Sequence, residues 1–95
     1  MLKVKRHKLF IKELRNAKLS DQHFSKYIVY LAKLIEDKPL PEEALDHPLK
    51  GEYRDCREFH ISGDLLVIYF IVDDTLNLIL IRPHSELFDR YFLRT

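Results

Sequence analysis

The sequence is poor in the residues that build disulfides, linkers and membrane spans. It holds one cysteine, Cys56, two glycines and four prolines. One thiol forms no internal disulfide and supplies no cysteine-rich zinc site, which fits a reducing cytoplasm. The few glycines and prolines leave little for flexible linkers, and neither an internal repeat nor a low-complexity segment is present. The longest apolar run, Leu65–Val72, is far below the roughly 20 residues of a membrane-spanning helix. Charge begins at Lys3, so no apolar stretch of the secretory kind opens the chain. Tight H-x-x-H and H-E-x-x-H spacings are missing as well.

What is present is globular composition, 46% hydrophobic and 12% aromatic over 95 residues. A chain of this length is expected to form one domain, residues 1–95, burying roughly two-thirds of the surface its unfolded form exposes. The formal net charge of +1 conceals an asymmetry. Lys3, Lys5, Arg6, Lys8, Lys12, Arg15 and Lys18 face Glu13 alone in the first 20 residues, so the remainder is acidic. A basic end on a near-neutral chain suits an anionic partner, and it also suits a plain solvated helix face.

Met1–Lys5 alternates apolar and basic residues, which predicts a short strand at a sheet edge. Phe10, Leu14 and Ala17 recur at helical spacing, with Lys8, Lys12 and Arg15 on the opposite stripe, predicting a helix over 6–18. Ser20 or Asp21 can cap a second helix whose apolar face is Phe24, Tyr27, Ile28, Leu31, Leu34 and Ile35, stopped by Pro39 and Pro41. Tyr53–Ile61 reads as a strand. Leu65–Val72 is apolar on both parities and belongs at the centre of a covered sheet. Asp73-Asp74 makes a turn, Leu76–Arg82 returns, and Ser85–Tyr91 predicts a last short helix. The expected class is α+β: two N-terminal helices on a small antiparallel sheet, in the order β-αα-βββ-α.

Five histidines are present. His7 and His23 sit on or beside helices and read as ordinary surface residues. His47, His60 and His84 fall at strand ends, where a meander can bring them together. Asp64 follows His60 by four residues. Arg57 precedes it by three, on the other face of an ideal strand, and Arg82 shares a face with His84. Imidazole moves protons near neutral pH, and guanidinium matches phosphate oxygens. Together, without a metal cage, they fit cleavage of a phosphodiester that carries its own nucleophile, as RNA does through its 2′-OH. Two other readings stay open: zinc held by the three histidines and Asp64, which neighbouring arginines oppose, and scattered structural histidines.

The ordered segments D46-H47-P48-L49-K50-G51, R57-E58-F59-H60-I61, D64-L65-L66-V67-I68-Y69 and H84-S85-E86-L87-F88 resemble the YafQ branch of the RelE/ParE toxin superfamily. The likeness runs from about residue 1 to Phe88, leaving 89–95 as a C-terminal extension. It implies a RelE-like fold and a cytoplasmic, metal-free endoribonuclease of a type II toxin–antitoxin system, cutting mRNA in the ribosomal A site without a cofactor. It further implies a cognate antitoxin that covers the toxin, contacts to ribosomal RNA, no membrane association and a monomeric free toxin. Carried over by position, the active-site histidines fall on His47, His60 and His84, the acidic residue on Asp64 and the C-terminal aromatic on Phe88. The Arg57 position is matched too.

On that reading His84 and His47 handle the two protons, with His84 the acid to the 5′-oxygen. His60 and Asp64 form a coupled pair, Arg82 and Arg57 stabilise phosphoryl charge, and Phe88 stacks on a base. Lys8, Lys12, Arg15 and Lys18 would meet ribosomal RNA or an acidic antitoxin segment. The pattern departs from relatives in places. Leu80 stands where they carry an arginine, which Arg82 replaces two residues nearer the histidine. Arg82-Pro83 replaces a glycine–small-residue step, and Leu65 stands where the best-known member has tryptophan. Two alternatives follow from the same superfamily: a non-catalytic binding protein like the ParE branch, and a nuclease that cuts free RNA without ribosomes.

Overall fold

The computed structural model describes residues 1–83. Strand β1 is Lys3–Arg6, helix α1 Lys8–Asn16 and helix α2 Asp21–Ile35. Strands β2 (His47–Pro48), β3 (Arg57–His60), β4 (Leu65–Val72) and β5 (Thr75–Pro83) follow. The described strands form one sheet in the order β1-β5-β4-β3-β2. Strands β2 to β5 run antiparallel to their neighbours, as expected of a meander. Strand β1 differs: it lies parallel to β5, with Lys3 opposite Thr75 and Arg6 opposite Leu78. β1 and β2, which flank the helical hairpin in the chain, thus form the two opposite edges of the sheet.

That ladder also sets where α1 begins. Arg6 is held in the sheet and the His7 N–H donates to the Leu78 carbonyl at 3.0 Å, so the helix starts at Lys8 rather than at residue 6. Phe10 is fully buried, while Lys8, Lys12 and Arg15 stay exposed.

Helix α2 is capped as its sequence predicts, with Ser20 Oγ accepting from the His23 N–H at 3.1 Å. Its end is set before the prolines. Asp37 is left-handed (φ 61°), and the Lys38 and Asp37 N–H groups reach back to the Lys33 and Leu34 carbonyls. These bonds satisfy carbonyls that the helix end would otherwise orphan. The buried face of α2 is Tyr27, Tyr30 and Leu34. Phe24 and Ile28, expected inside, are 50% and 45% exposed. Tyr30 takes the inner position because its ring meets Phe59 edge-on and its hydroxyl donates to Glu43 Oε1 at the rim.

The strand expected over Tyr53–Ile61 is shorter. Gly51–Tyr53 forms a single 3-10 turn opened by Gly51 at φ 68°, and only Arg57–His60 is extended. The β4–β5 hairpin matches its sequence closely, turning through Asp73 at φ 55°. One irregularity matters. Ile68 pairs with Leu80 and Tyr69 with Leu78, so Ile79 is an extra residue in β5. This bulge flips the face of every later side chain. Leu76, Leu78 and Ile81 therefore join Phe10, Tyr27 and Phe59 in the core beneath the helices, while Leu80 packs with Leu66 and Ile68 in a second cluster.

Candidate active site

Strand pairing builds a compact acid–base cluster at the outer end of the sheet. His47 lies opposite Glu58 in the β2–β3 ladder. His60 follows Glu58 by two residues, which returns its side chain to the same face. One carboxylate oxygen, Glu58 Oε1, lies 2.8 Å from His47 Nε2 and 3.2 Å from His60 Nε2. The two rings stack with centroids 6.3 Å apart and planes 29° from parallel. Side-chain exposure is graded across the group: 48% for His47, 12% for His60 and 7% for Glu58.

Burying a carboxylate is costly unless it is paired and hydrogen-bonded. Here two imidazoles meet that need. His47 Nδ1 lies 2.9 Å from the Pro48 carbonyl oxygen, so both its ring nitrogens face acceptors. His47 thus stands at the solvent edge of the cluster, in contact with the buried Glu58 carboxylate.

The opposite face carries a different network. Tyr69 Oη donates to Asp46 Oδ1 at 2.6 Å, and Arg57 Nε donates to the same oxygen at 3.2 Å. Arg57 Nη2 also reaches the Asp46 carbonyl at 3.3 Å. Asp46 directly precedes His47, so this network anchors the start of β2. Burial, reinforced by Asp46, pushes the Tyr69 phenol well above its ordinary range. Arg57 pairs with Tyr69 in the ladder and no bulge interrupts β3, which leaves its guanidinium away from the histidines.

Arg82 stands differently. It pairs across β4 with Leu66, which pairs with His60. The three residues form one cross-strand row, so the arginine side chain departs from the face that carries the histidines. Arg82 is 7% exposed, and its Nε is bonded to Glu13 Oε2 on α1. Asp64 is exposed in the tight β3–β4 turn, where Ser62 Oγ accepts from the Asp64 and Leu65 N–H groups. Lys8, Lys12 and Arg15 ride on α1, which packs on β5, two strands away from β3. They are not part of the histidine cluster.

His84 and Phe88, and the helix expected over 85–91, lie outside the described residues. His7 bonds Asn77 through Nε2 at 3.0 Å and meets Phe70 edge-on, a structural role. Sequence reasoning overlooked Glu58 as a site residue, although its i, i+2 relation to His60 places it on the same face. It overlooked Glu13 and Asp46 as partners of Arg82 and Arg57.

The cluster also has the makings of a metal site. Ligand atoms of His47, Glu58 and His60 lie within 4.8 Å of one another. Two imidazoles and a carboxylate are donors that Zn²⁺ or Cu²⁺ accepts. This set has Glu58 where the sequence suggested Asp64.

Comparison with known proteins gives a consistent picture. Residues 2–89 match the family model described as the bacterial toxin of type II toxin–antitoxin system, YafQ. An mRNA interferase toxin YafQ of Escherichia coli K12 is 32% identical over 77 residues, covering 80% of this chain and 82% of the relative. A metal-bound toxin from Helicobacter pylori superposes with a TM-score of 0.80 at 34% identity, over 93% of this chain and 100% of that one. The E. coli DinJ–YafQ complex gives a TM-score of 0.80 at 26% identity, over 93% and 99%.

Proposed function

The chain belongs to the YafQ family of type II toxin–antitoxin toxins, and from that premise we propose that it is a metal-independent endoribonuclease that cuts mRNA in the ribosomal A site. The observation that carries this reading is the Glu58-bridged pair of His47 and His60, in one cross-strand row with Arg82. Cleavage proceeds by transfer of a phosphoryl group within the RNA. A base takes the proton of the 2′-OH, the 2′-oxygen attacks the adjacent phosphorus, and the P–O5′ bond breaks. An acid protonates the departing 5′-oxygen. The products are a 2′,3′-cyclic phosphate and a 5′-hydroxyl.

His47 and His84 are assigned the two protons, with His84 the acid to the 5′-oxygen. His47 suits this role because it is the exposed member of the cluster and can meet the substrate directly. His60, nearly buried against Glu58, orients the substrate and supports its neighbour, with Asp64 at the mouth of the same turn. Arg82 supplies positive charge to the RNA backbone. Phe88 stacks on a base. Arg57 is tied to Asp46 and would act on phosphate only after leaving it.

The partner proposed is a cognate antitoxin, as DinJ partners YafQ in the solved complex. The stripe of Lys8, Lys12 and Arg15 offers it, or ribosomal RNA, a basic surface. A non-catalytic inhibitor would have no use for two imidazoles on one buried carboxylate, which favours the nuclease over the ParE-like alternative. The test is expression of the wild type and of His47→Ala and His60→Ala variants, with mapping of mRNA ends. Cuts within codons on translating messages, lost in both variants, are expected. Equal growth arrest by all three proteins with no mRNA cuts would overturn the proposal, and digestion of naked RNA would remove the ribosome from it.

A further inference from the structure

Among the described strands β1 is the last at its edge of the sheet, and all of its residues are exposed. Its ladder with β5 is parallel. The Lys3 and His7 N–H groups donate inward, to the Asp74 and Leu78 carbonyls at 2.8 and 3.0 Å. Backbone groups alternate in direction along such a strand, so Val4 and Arg6 turn their N–H and C=O groups outward. Val4 pairs with Leu76, a core residue beneath the helices. Val4 and Arg6 therefore take the helix side of the sheet, and Lys3 and Lys5 take the other.

Helix α2 lies alongside this edge. The Leu2 N–H donates to the Ile35 carbonyl at 2.7 Å. Burial raises the Tyr27 phenol, and the charge of nearby Arg6 opposes the rise. The end of α2 thus meets the start of β1 and its middle meets the end of β1, so the two run antiparallel. One flank of the helix carries Tyr30, which meets Phe59 on β3, toward the opposite edge of the sheet. Phe24, Ile28, Leu31 and Ile35 share the other flank by helical spacing, and that flank is turned toward β1. Leu31 and Ile35 pack on the core, but Phe24 and Ile28 are 50% and 45% exposed, and Val4 is 42% exposed. Uncovered apolar surface on helix and strand, beside backbone groups without a ladder, is what a sheet lacking one more strand presents.

We propose that an extended segment of the cognate antitoxin adds to the outer edge of β1 as a further strand. Its main chain pairs with Val4 and Arg6, and its side chains alternate between the two faces. On the helix side they meet Val4 and Ile28 and are apolar. On the other side they meet Lys3 and Lys5 and are acidic. Charge opposes a second copy of this chain as the occupant, because β1 against β1 sets lysines beside lysines. It favours an acidic partner, since Glu13 is the one acidic residue among the first 20. The inference rests on the antitoxin partner proposed above.

The test pairs the full chain with the antitoxin encoded beside it, and reads backbone hydrogen exchange together with affinity. In the free toxin the Val4 and Arg6 amides are expected to exchange fast and the His7 amide slowly. In the complex all three should be protected. Val4→Pro removes an outward N–H and none that β5 uses, a place where an edge strand tolerates proline. It should weaken the complex about tenfold or more. Ile28→Glu alters an exposed helix position, so it reports even if the proline variant fails to fold, and it should weaken the complex by a similar factor. Val4→Thr keeps the N–H and should bind within about threefold of wild type. Val4 and Arg6 amides that stay open in the complex overturn the added strand and leave the antitoxin as partner. So do Val4→Pro and Ile28→Glu variants that both bind as well as wild type. Protection of these amides in the free toxin, lost on dilution, overturns it in favour of a second copy. A wild-type chain that does not bind the antitoxin overturns the strand by removing the partner itself.

Discussion

Glu58 Oε1 lies 2.8 Å from His47 Nε2, across a ladder pair in which the carboxylate is buried and the imidazole reaches solvent. The same oxygen serves His60, so one buried charge organises two rings. Glutamine in its place keeps an acceptor oxygen for the two rings but removes the negative charge between them. We expect Glu58→Gln to slow mRNA cleavage by roughly 10²–10⁴, the usual worth of a positioned acid or base, with the fold retained. Rates on translating ribosomes, beside circular dichroism of the variant, check this. Cleavage within about twofold of wild type would remove Glu58 from the mechanism.

The same geometry predicts inhibition by a borderline-soft cation. Zn²⁺ at His47, Glu58 and His60 would occupy the groups that must move protons. We expect one Zn²⁺ per chain by calorimetric titration, cleavage that falls as the site fills, and recovery on adding EDTA. His47→Ala should abolish the binding. Undiminished zinc affinity in both His47→Ala and Glu58→Gln would place the metal elsewhere.

Tyr69 carries a pH signature. Burial and the Asp46 carboxylate raise its phenol above the ordinary value near 10. The folded state therefore keeps a proton that the unfolded state gives up. Stability from this source is complete below about pH 10 and is lost as pH climbs beyond it. Tyr69→Phe removes the hydrogen bond to Asp46, so it should cost about 1.5–3 kcal/mol at pH 7. It should also flatten the alkaline decline. Urea unfolding at pH 7 and pH 10.5 measures both. A variant as stable as wild type at pH 7, with the same alkaline slope, would refute the account.

How the sequence foretold some features and hid others follows from the range of the interactions. The β4–β5 hairpin was legible because an apolar run on both parities and an Asp-Asp turn are local signals. His47 and His60 stood out because histidines at strand ends are uncommon in a plain core. Glu58 was hidden in a charged motif, where a glutamate between arginine and phenylalanine reads as a solvated face. Its partner across the ladder is 11 positions earlier, at His47, and no periodicity reveals that register. The parallel placement of β1 depends on contacts with residues about 70 positions away, and a strand's direction leaves no mark in its own pattern. The bulge at Ile79 had the same invisibility, yet it decides that Leu78 and Leu80 pack on opposite sides of the sheet and that Ile81 shares the face of Leu78.

Helix α2 offers the sharpest contrast between pattern and packing. Its sequence has more apolar residues than its buried face can use. Phe24 and Ile28 extend the stripe outward, while Tyr30 is drawn in by Phe59 and Glu43. Two substitutions on one helix should then behave oppositely to a ranking by hydrophobicity. Phe24→Ser should change stability by about 0.5 kcal/mol or less, as for most surface sites. Tyr30→Ala should cost about 3–5 kcal/mol, the range for truncating a buried aromatic. Chemical denaturation of both variants settles the order, and a larger loss at Phe24 than at Tyr30 would mean the helix is rotated from the orientation described.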